Sequence, residues 1–566
     1  MLLFQLNLFF SLILVIFLFS RFFGKLGLLY LIIIFFFNYI MLLYFFIKYI
    51  YILNLEVYIP INSWFNLISL SLLWEFCIDW FNLNTTLLIY FISFIIIIYS
   101  LKYFWNYPFL IRFIIYLLLF NFFMLLLIYS NNQIIIFLGW EGVGFCSFLL
   151  IGFYSSRLSA INASLKAIFY NKIGDIFFVY FSCYYFILFY SLNFVDLITF
   201  FNKIYYIFLL CIFAKSAQFI FYGWLLDAME GPTPVSALIH AATLVTLGVF
   251  YLIKLSFFLI NINLIIIFLF FFCSLTSIYS GVLGTIEFDI KKIIAYSTVS
   301  QMSLLFLFSI CVYDWITLFY LITHGFFKSL LFLISGLIIV YNNNSQDIRN
   351  INHISCSLTT LILLSGLLSL SGFPFLSGFF AKDLALELTI YSLFNYGLLF
   401  SYYVSCIFTI IYSSRLFFFY KKKINGRIVK DSINPIIYTL LTLFILSLIF
   451  GYFFITTEHF FPIIIYLTLK LVPIIIIPIG IIIGINSDFS KVWIINHFLY
   501  IYYSSFIKQY IIIFHFYMEK NYYILISYIS NYFTILDVKK FSLLFFFYIP
   551  VIFIFIWCIL ILSLLY

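Results

Sequence analysis

The sequence predicts an all-α polytopic membrane protein, because it is overwhelmingly apolar, almost free of charge, and built from apolar runs long enough to span a bilayer. Of its 566 residues, 66% are hydrophobic and 8% charged. A soluble domain carries about 25% charged residues to cover its surface. Apolar runs of about 18 residues or more recur from end to end, and each reads as a helical span. A transmembrane barrel would instead alternate apolar and polar residues in ~10-residue segments.

Composition narrows the function classes. The 82 Phe and 47 Tyr fit an A/T-biased, organellar genome and do not point to stacking platforms for a ligand. The net charge of +9 lies mostly in loops between spans, so it speaks to topology and not to nucleic acid. Nine Cys are scattered singly without a CxxC. They suggest neither a disulfide framework nor an iron–sulfur or zinc site. The histidines do not cluster as metal ligands either, so no redox cofactor is expected in this chain. The first apolar stretch is long enough to span and does not read as a cleavable signal.

About sixteen spans are expected. They lie near 2–20, 27–52, 83–101, 109–129, 132–154, 162–190, 204–224, 235–256, 259–283, 292–312, 314–341, 357–386, 391–419, 434–456, 460–485 and 541–566. The polar-punctuated stretch 54–82 reads as an extramembrane loop or hairpin. The stretch 487–540 is interrupted by Asp488, Lys491, Lys508, Glu519, Lys520, Asp537, Lys539 and Lys540, which suits a segment lying along the membrane. Fully helical, it would reach roughly 80 Å at about 1.5 Å per residue. Loops after odd-numbered spans are rich in cations, from Arg21 and Lys25 to the Lys421–Lys430 loop. Loops after even-numbered spans are poorer. That asymmetry puts the N-terminus outside and Lys421–Lys430 inside. Asp227 and Glu230 form an acidic exception on the basic side.

The chemistry sits in the spans. Each Lys or Asp at a helix centre costs about 2.5–3.5 kcal/mol on insertion scales. Yet Glu141, Asp175, Lys215, His240, His324, Lys328, Lys382 and Asp383 all fall within apolar segments. They must face the bundle interior, pair, or line water. Taken singly, each reads equally well as a polar anchor between helices. As a set they differ from helix glue: both signs occur in successive spans, without a matching density of Asn or Gln. A file of carboxylates, lysines and histidines suits proton transfer, because burial and neighbours tune each protonation equilibrium. A Glu–Lys pair about 4 Å apart interacts by about 4 kcal/mol at an effective dielectric of 20, so separating it can release a proton from the lysine.

Spacing adds detail. His324 and Lys328 share one helix face, with Tyr320 a turn earlier. Lys172 and Asp175, three apart, read as a local salt bridge or as part of a relay. Lys215 lies in AKSAQFIFYGW, where Ser, Gln and Gly suit an irregular turn. Gly372, Pro374 and Gly378 precede Lys382 in SGFPFLSGFFAKD, 371–383. Either an ordinary kink or a broken helix follows; interrupted spans in corresponding positions of two halves point to a transport site.

Several longer motifs carry a resemblance. GWEGVGFCSFLLIGFYSSR at 139–157 and DAMEGPTPVSALIHAATLVTLGVF at 227–250 are similar to signatures of the antiporter-like, proton-translocating membrane subunits of respiratory complex I. NKIGDIFF at 171–178, FAKSAQ at 213–218, DIKKIIAYSTVSQMS at 289–303 and THGFFKSLLFLISG at 323–336 follow in the family's order. The similarity covers about residues 85–420. A lysine in FFAKD at 379–383, together with GWEGVG and the extra C-terminal region, resembles the subunit 5 branch (NADH dehydrogenase). The related subunit of multisubunit sodium/proton antiporters is the alternative.

The resemblance implies a division of the chain. N-terminal helices and an external loop occupy 1–108. Two five-helix repeats in inverted orientation, with discontinuous helices, follow at 109–256 and 257–419. Further helices span 420–486, a lateral amphipathic helix 487–540, and an anchoring span 541–566. It makes Glu141 and Lys215 a coupling pair, His240, His324 and Lys328 a central relay, and Lys382 the terminal lysine, with Asp175 and Asp383 beside them. It places flavin, iron–sulfur clusters and quinone in partner subunits, with none in this chain. It also implies other membrane-arm subunits as neighbours, the antiporter-like subunit 4 above all, phospholipids including cardiolipin, and a mitochondrial inner membrane. Three departures stand out: Tyr320 where the family often has histidine, no proline after FAKSAQ, and Lys172 for the more usual arginine, which forgoes bidentate pairing.

Overall fold

The computed structural model describes residues 57–486, apart from 62–65, 68–69, 72–73, 106, 190–201, 242, 260–262, 312–313, 343, 351–356, 392–395, 422–434 and 458–466. The spans expected near 2–20, 27–52 and 541–566, and the lateral helix expected at 487–540, lie outside the described residues.

The stretch before the helices is paired backbone. Strand β1 (Val57–Ile61) runs antiparallel to β4 (Trp74–Ile78), and β2 (Asn66–Leu67) to β3 (Leu70–Ser71). Everything beyond is helical: α1 (Trp80–Tyr103), α2 (Leu110–Tyr129), α3 (Gln133–Ile151), α4 (Leu158–Phe189), α5 (Asn202–Lys215), α6 (Gly223–Asp227), α7 (Thr233–Ala241), α8 (Thr246–Leu259), α9 (Asn263–Ile286), α10 (Ile290–Cys311), α11 (Asp314–Tyr341), α12 (Ser357–Ser371), α13 (Ser377–Tyr391), α14 (Tyr396–Lys421), α15 (Pro435–Thr457) and α16 (Leu467–Asn486). Among the described residues, seven helical stretches, with α7 and α8 counted together as one, are long and apolar enough to cross a membrane by length and composition.

Local chemistry sets several of these boundaries. Asn132 caps α3, its side chain accepting from the Ile134 N–H at 2.9 Å. Pro435 opens α15, where a missing N–H costs nothing. Arg415, buried in α14, donates to the carbonyls of Glu287 and Ile286 at 2.7 and 3.4 Å. It thereby occupies the negative end of α9. The Arg415 and Arg349 guanidiniums both lie against the Phe288 ring, at 4.8 and 4.1 Å.

Helix α11 is the axis of the bundle. Every residue from Ile316 to Ile339 is buried. It packs against α1, α7, α10, α12, α13 and α15. Glycines admit these close approaches: a Cβ on Gly336 would meet Thr233 Oγ1 at 2.4 Å.

Three expected spans are each split in two. The first break separates α5 from α6, where Ala217 and Ile220 take φ of 54° and 77°. It forms without a proline, because the Trp224 indole donates to the freed Ala214 carbonyl at 3.0 Å. The second separates α12 from α13, with φ of 79° at Gly372 and 69° at Phe375. Here the sequence left a kink and a break open, and the chain breaks. In both, left-handed residues recur three positions apart. The third break, between α7 and α8, falls in the segment expected to run unbroken over 235–256. At this break the Thr243 hydroxyl takes the Leu238 carbonyl at 2.8 Å, an option a side-chain hydroxyl offers in place of the helix.

The turn that starts α13 has no spare room. A Cβ on Gly378 would stand 1.9 Å from the Ser369 carbonyl oxygen. Gly378→Ala should therefore destabilise the chain by about 1–3 kcal/mol through overpacking. A lowered thermal unfolding midpoint of the purified protein is the check, with Ala381→Gly as a comparison that adds no volume.

Candidate functional site: a buried file of acids and bases

The first cluster is an alternating ladder. Glu141, near the middle of α3, accepts from Lys172 Nζ at 2.8 Å. Lys172, near the middle of α4, lies 3.5 Å from Asp175. Asp175 in turn lies 3.9 Å from Lys215 Nζ. Glu141 and Lys215, expected as a pair, are thus joined through Lys172 and Asp175 and make no direct ion pair among the described residues. Lys215 is fully buried at the last residue of α5, where a cation suits the helix's negative end. It donates to the Trp140 carbonyl at 3.0 Å and stands 5.2 Å from the Trp140 ring centre. Gly144 keeps that space open, since a Cβ there would sit 2.9 Å from Lys215 Nζ.

The second cluster lies around the third break. His240, buried at the end of α7, packs between Trp224 and Phe332 at ring distances of 6.1 and 6.2 Å. The next carbonyl, Ala241, contacts His324 Nδ1 at 3.2 Å. That carbonyl is freed by the break, so the break gives the buried imidazole its partner. His240 Nδ1 and His324 Nε2 have no hydrogen-bond partner among the described residues. One turn along α11, Lys328 donates to Ser297 Oγ. Tyr320, a turn earlier, donates to Gln301 Oε1. Ser297 and Gln301, one turn apart on α10, thus serve Lys328 and Tyr320, which lie two turns apart on α11 with His324 between them.

Lys382 and Asp383 form a third group. Lys382 Nζ donates to the Leu370 carbonyl at 2.6 Å, again in the last turn of a broken helix. Tyr402 OH reaches the Lys382 carbonyl at 3.3 Å. Lys382, Asp383, Tyr402, Tyr403 and Cys406 line a cavity of about 30 Å³, which has room for water. No group of three or more His, Cys, Asp or Glu is placed to hold a metal among the described residues.

The structure therefore brings Glu141, Asp175 and Lys215 into one cluster, His240, His324 and Lys328 into a second, and Lys382 with Asp383 into a third. Sequence reasoning passed over Ser297, Gln301, Trp140 and the bridging role of Lys172. The polar run in AYSTVSQMS was the available signal for the first two. The acidic exception is also resolved. Asp227 pairs with Lys166 at 2.5 Å, Glu230 accepts from Ser159 at 3.1 Å, and Lys291 holds the Gly231 carbonyl at 3.1 Å.

The ladder makes a thermodynamic prediction. A double-mutant cycle between Glu141→Gln and Lys172→Met should show coupling of about 1–3 kcal/mol in unfolding free energy. The Glu141→Gln and Lys215→Met cycle should show clearly less. Equal couplings would mean that Lys172 is not the link.

The chain matches the family model described as NADH:quinone oxidoreductase/Mrp antiporter, transmembrane, over residues 130–411. It is 40% identical to NADH-ubiquinone oxidoreductase chain 5 of Acanthamoeba castellanii, over 70% of this chain and 63% of that one. It is 39% identical to the Chondrus crispus chain of the same name, over 69% and 64%. The match thus spans less than two thirds of these relatives' length. Among solved structures, an Mrp complex from Dietzia sp. superposes with a TM-score of 0.74 at 20% identity, covering 86% of this chain and 56% of that one. An archaeal membrane-bound sulfane sulfur reductase superposes with a TM-score of 0.70 at 19% identity, covering 83% and 96%. These two likenesses bear on the fold alone. The chain is thus similar to the NADH:quinone oxidoreductase/Mrp antiporter membrane family, and within it to the chain 5 members.

Proposed function

We propose that this chain is a proton-translocating membrane subunit of NADH:ubiquinone oxidoreductase in the mitochondrial inner membrane. Redox chemistry, with its flavin, iron–sulfur clusters and quinone, belongs to partner subunits. The carrying observation is the file itself: carboxylates, lysines and histidines set in an apolar bundle, most of them buried against a charge, a hydroxyl, an aromatic ring or a carbonyl. Quinone reduction elsewhere perturbs the neighbouring membrane subunit. The ladder Glu141–Lys172–Asp175–Lys215 responds by opening or closing. A proton then moves by way of His240, His324 and Lys328 to Lys382 and Asp383, and on to the positive side. No covalent step occurs in this chain.

The geometry supports the coupling at both ends. The side chain of Lys172 is 51% exposed at the middle of its helix, a depth at which facing lipid is costly. That supports a neighbouring membrane subunit, such as the antiporter-like subunit 4, against this face. At the other end, the cavity beside Lys382 supports a wet outlet. The matching left-handed pairs at the two helix breaks support the inverted repeats at 109–256 and 257–419.

Lys215→Ala in the assembled complex is expected to lower protons pumped per electron several-fold while NADH oxidation continues. Unchanged stoichiometry would defeat the reading. Lys382→Ala should do the same; normal pumping by a poorly assembling variant would instead make the chain a scaffold. The likeness to the Dietzia Mrp complex favours one alternative, a sodium/proton antiporter subunit, for which sodium-dependent proton exchange by the purified complex is diagnostic.

A further inference from the structure

One end of the bundle carries three exposed cations with no function in the proton file. Lys102 lies in the last turn of α1, Arg112 in the first turn of α2, and Arg157 in the connection from α3 to α4. None has a carboxylate within salt-bridge distance among the described residues. The sequence from 102 to 118 and from 152 to 169 contains no acid at all.

Each cation instead lies over an aromatic ring. Lys102 stands 5.7 Å from Trp105, Arg112 5.0 Å from Phe109, and Arg157 5.0 Å from Tyr154. The rings under Arg112 and Arg157 belong to one continuous cluster, and Trp105 follows its member Phe104 in the chain. Tyr107 touches Phe109 and Tyr154 at 5.9 and 6.2 Å, and Phe104 touches Tyr107 and Phe153 at 5.6 Å each. Trp105 and Phe109 are 52% and 48% exposed. Large half-exposed rings at the ends of spans sit at headgroup level. A guanidinium held against a ring still has N–H donors free for a forked contact with phosphate oxygens. By the loop-charge asymmetry this end is the basic side, where anionic lipid attracts juxtamembrane cations.

We propose that Lys102, Arg112 and Arg157, held on this aromatic cluster, form a binding site for the phosphate headgroup of an anionic phospholipid of the inner leaflet. The rings fix the depth of the site and the cations select the charge. Lys166, at the same end, is already neutralised by Asp227 and takes no part. The site stands apart from the proton file, so it rests on the membrane placement of the chain and not on the pumping reading.

The test uses the whole complex in nanodiscs. A photoactivatable cardiolipin and a photoactivatable phosphatidylcholine with the same chains are compared by the peptides they label. Labelling of 102–112 and 153–157 should be several-fold higher with cardiolipin. Equal labelling would overturn the proposal. In native mass spectrometry, Arg112→Gln with Arg157→Gln should weaken cardiolipin retention by about fivefold for each cation removed. Lys166→Gln should leave it unchanged. Loss of cardiolipin on addition of inorganic phosphate would mean a site for free phosphate, and would also overturn the assignment. The labelling arm needs no variant, so a substitution that fails to assemble leaves the test intact.

Discussion

The cost of placing a charge in hydrocarbon governs this molecule. A single unpartnered lysine or aspartate at mid-span costs about as much as a typical destabilising mutation, and the chain holds several in succession. The arrangement that results is concentric. Helix α11, with His324 and Lys328, lies wholly inside protein. The ladder from Glu141 to Lys215 satisfies its charges pairwise. Apart from Lys172, whose half-exposed head is paired with Glu141, the exposed cations described lie at helix ends and in loops, where their heads reach water or headgroups.

The helix breaks belong to the same economy of charge. An intact helix spends its carbonyls on its own N–H groups and has none to offer a buried base. Interrupting α7–α8 releases the Ala241 carbonyl to His324, and interrupting α12–α13 leaves the Leu370 carbonyl to Lys382. Neutral partners of this kind hold a lysine or imidazole without fixing its protonation state as firmly as a carboxylate would. The ladder and the breaks thus provide two kinds of station: ionic ones near Asp175, and carbonyl or hydroxyl ones near α11.

Much of this was legible in the sequence, for identifiable reasons. The approximate span positions between 83 and 485 follow from hydropathy, since a 30 Å apolar slab permits few alternatives. The eight ionisable residues within the spans, six of them buried and Glu141 and Asp383 half-buried, were visible because each interrupts an apolar run. Pro374 and Gly372 announced an irregularity, though not whether the helix kinks or breaks. The α7–α8 break was hidden because threonine is an ordinary helix residue until its hydroxyl captures a carbonyl. The ladder was half visible: Lys172 and Asp175 are three apart on one helix, but the reach of Lys172 to Glu141 across to α3 is tertiary. Ser297 and Gln301 were printed inside a recognised motif, yet a serine in a transmembrane helix usually bonds its own backbone, and only the position of Lys328 makes Ser297 an acceptor.

The enclosure of α11 bears on how the protein is made. Its mean hydropathy of 1.7 over the spanning window admits it to a bilayer during synthesis, one span at a time. Once there, His324 and Lys328 have no acceptable surroundings until α7 and α10 from the preceding chain, and α12, α13 and α15 from the following chain, close around it. Lateral release into lipid and final consolidation are therefore separate events for this helix. The interval between them, with a lysine awaiting its enclosure, is the stage of biogenesis most exposed to quality control.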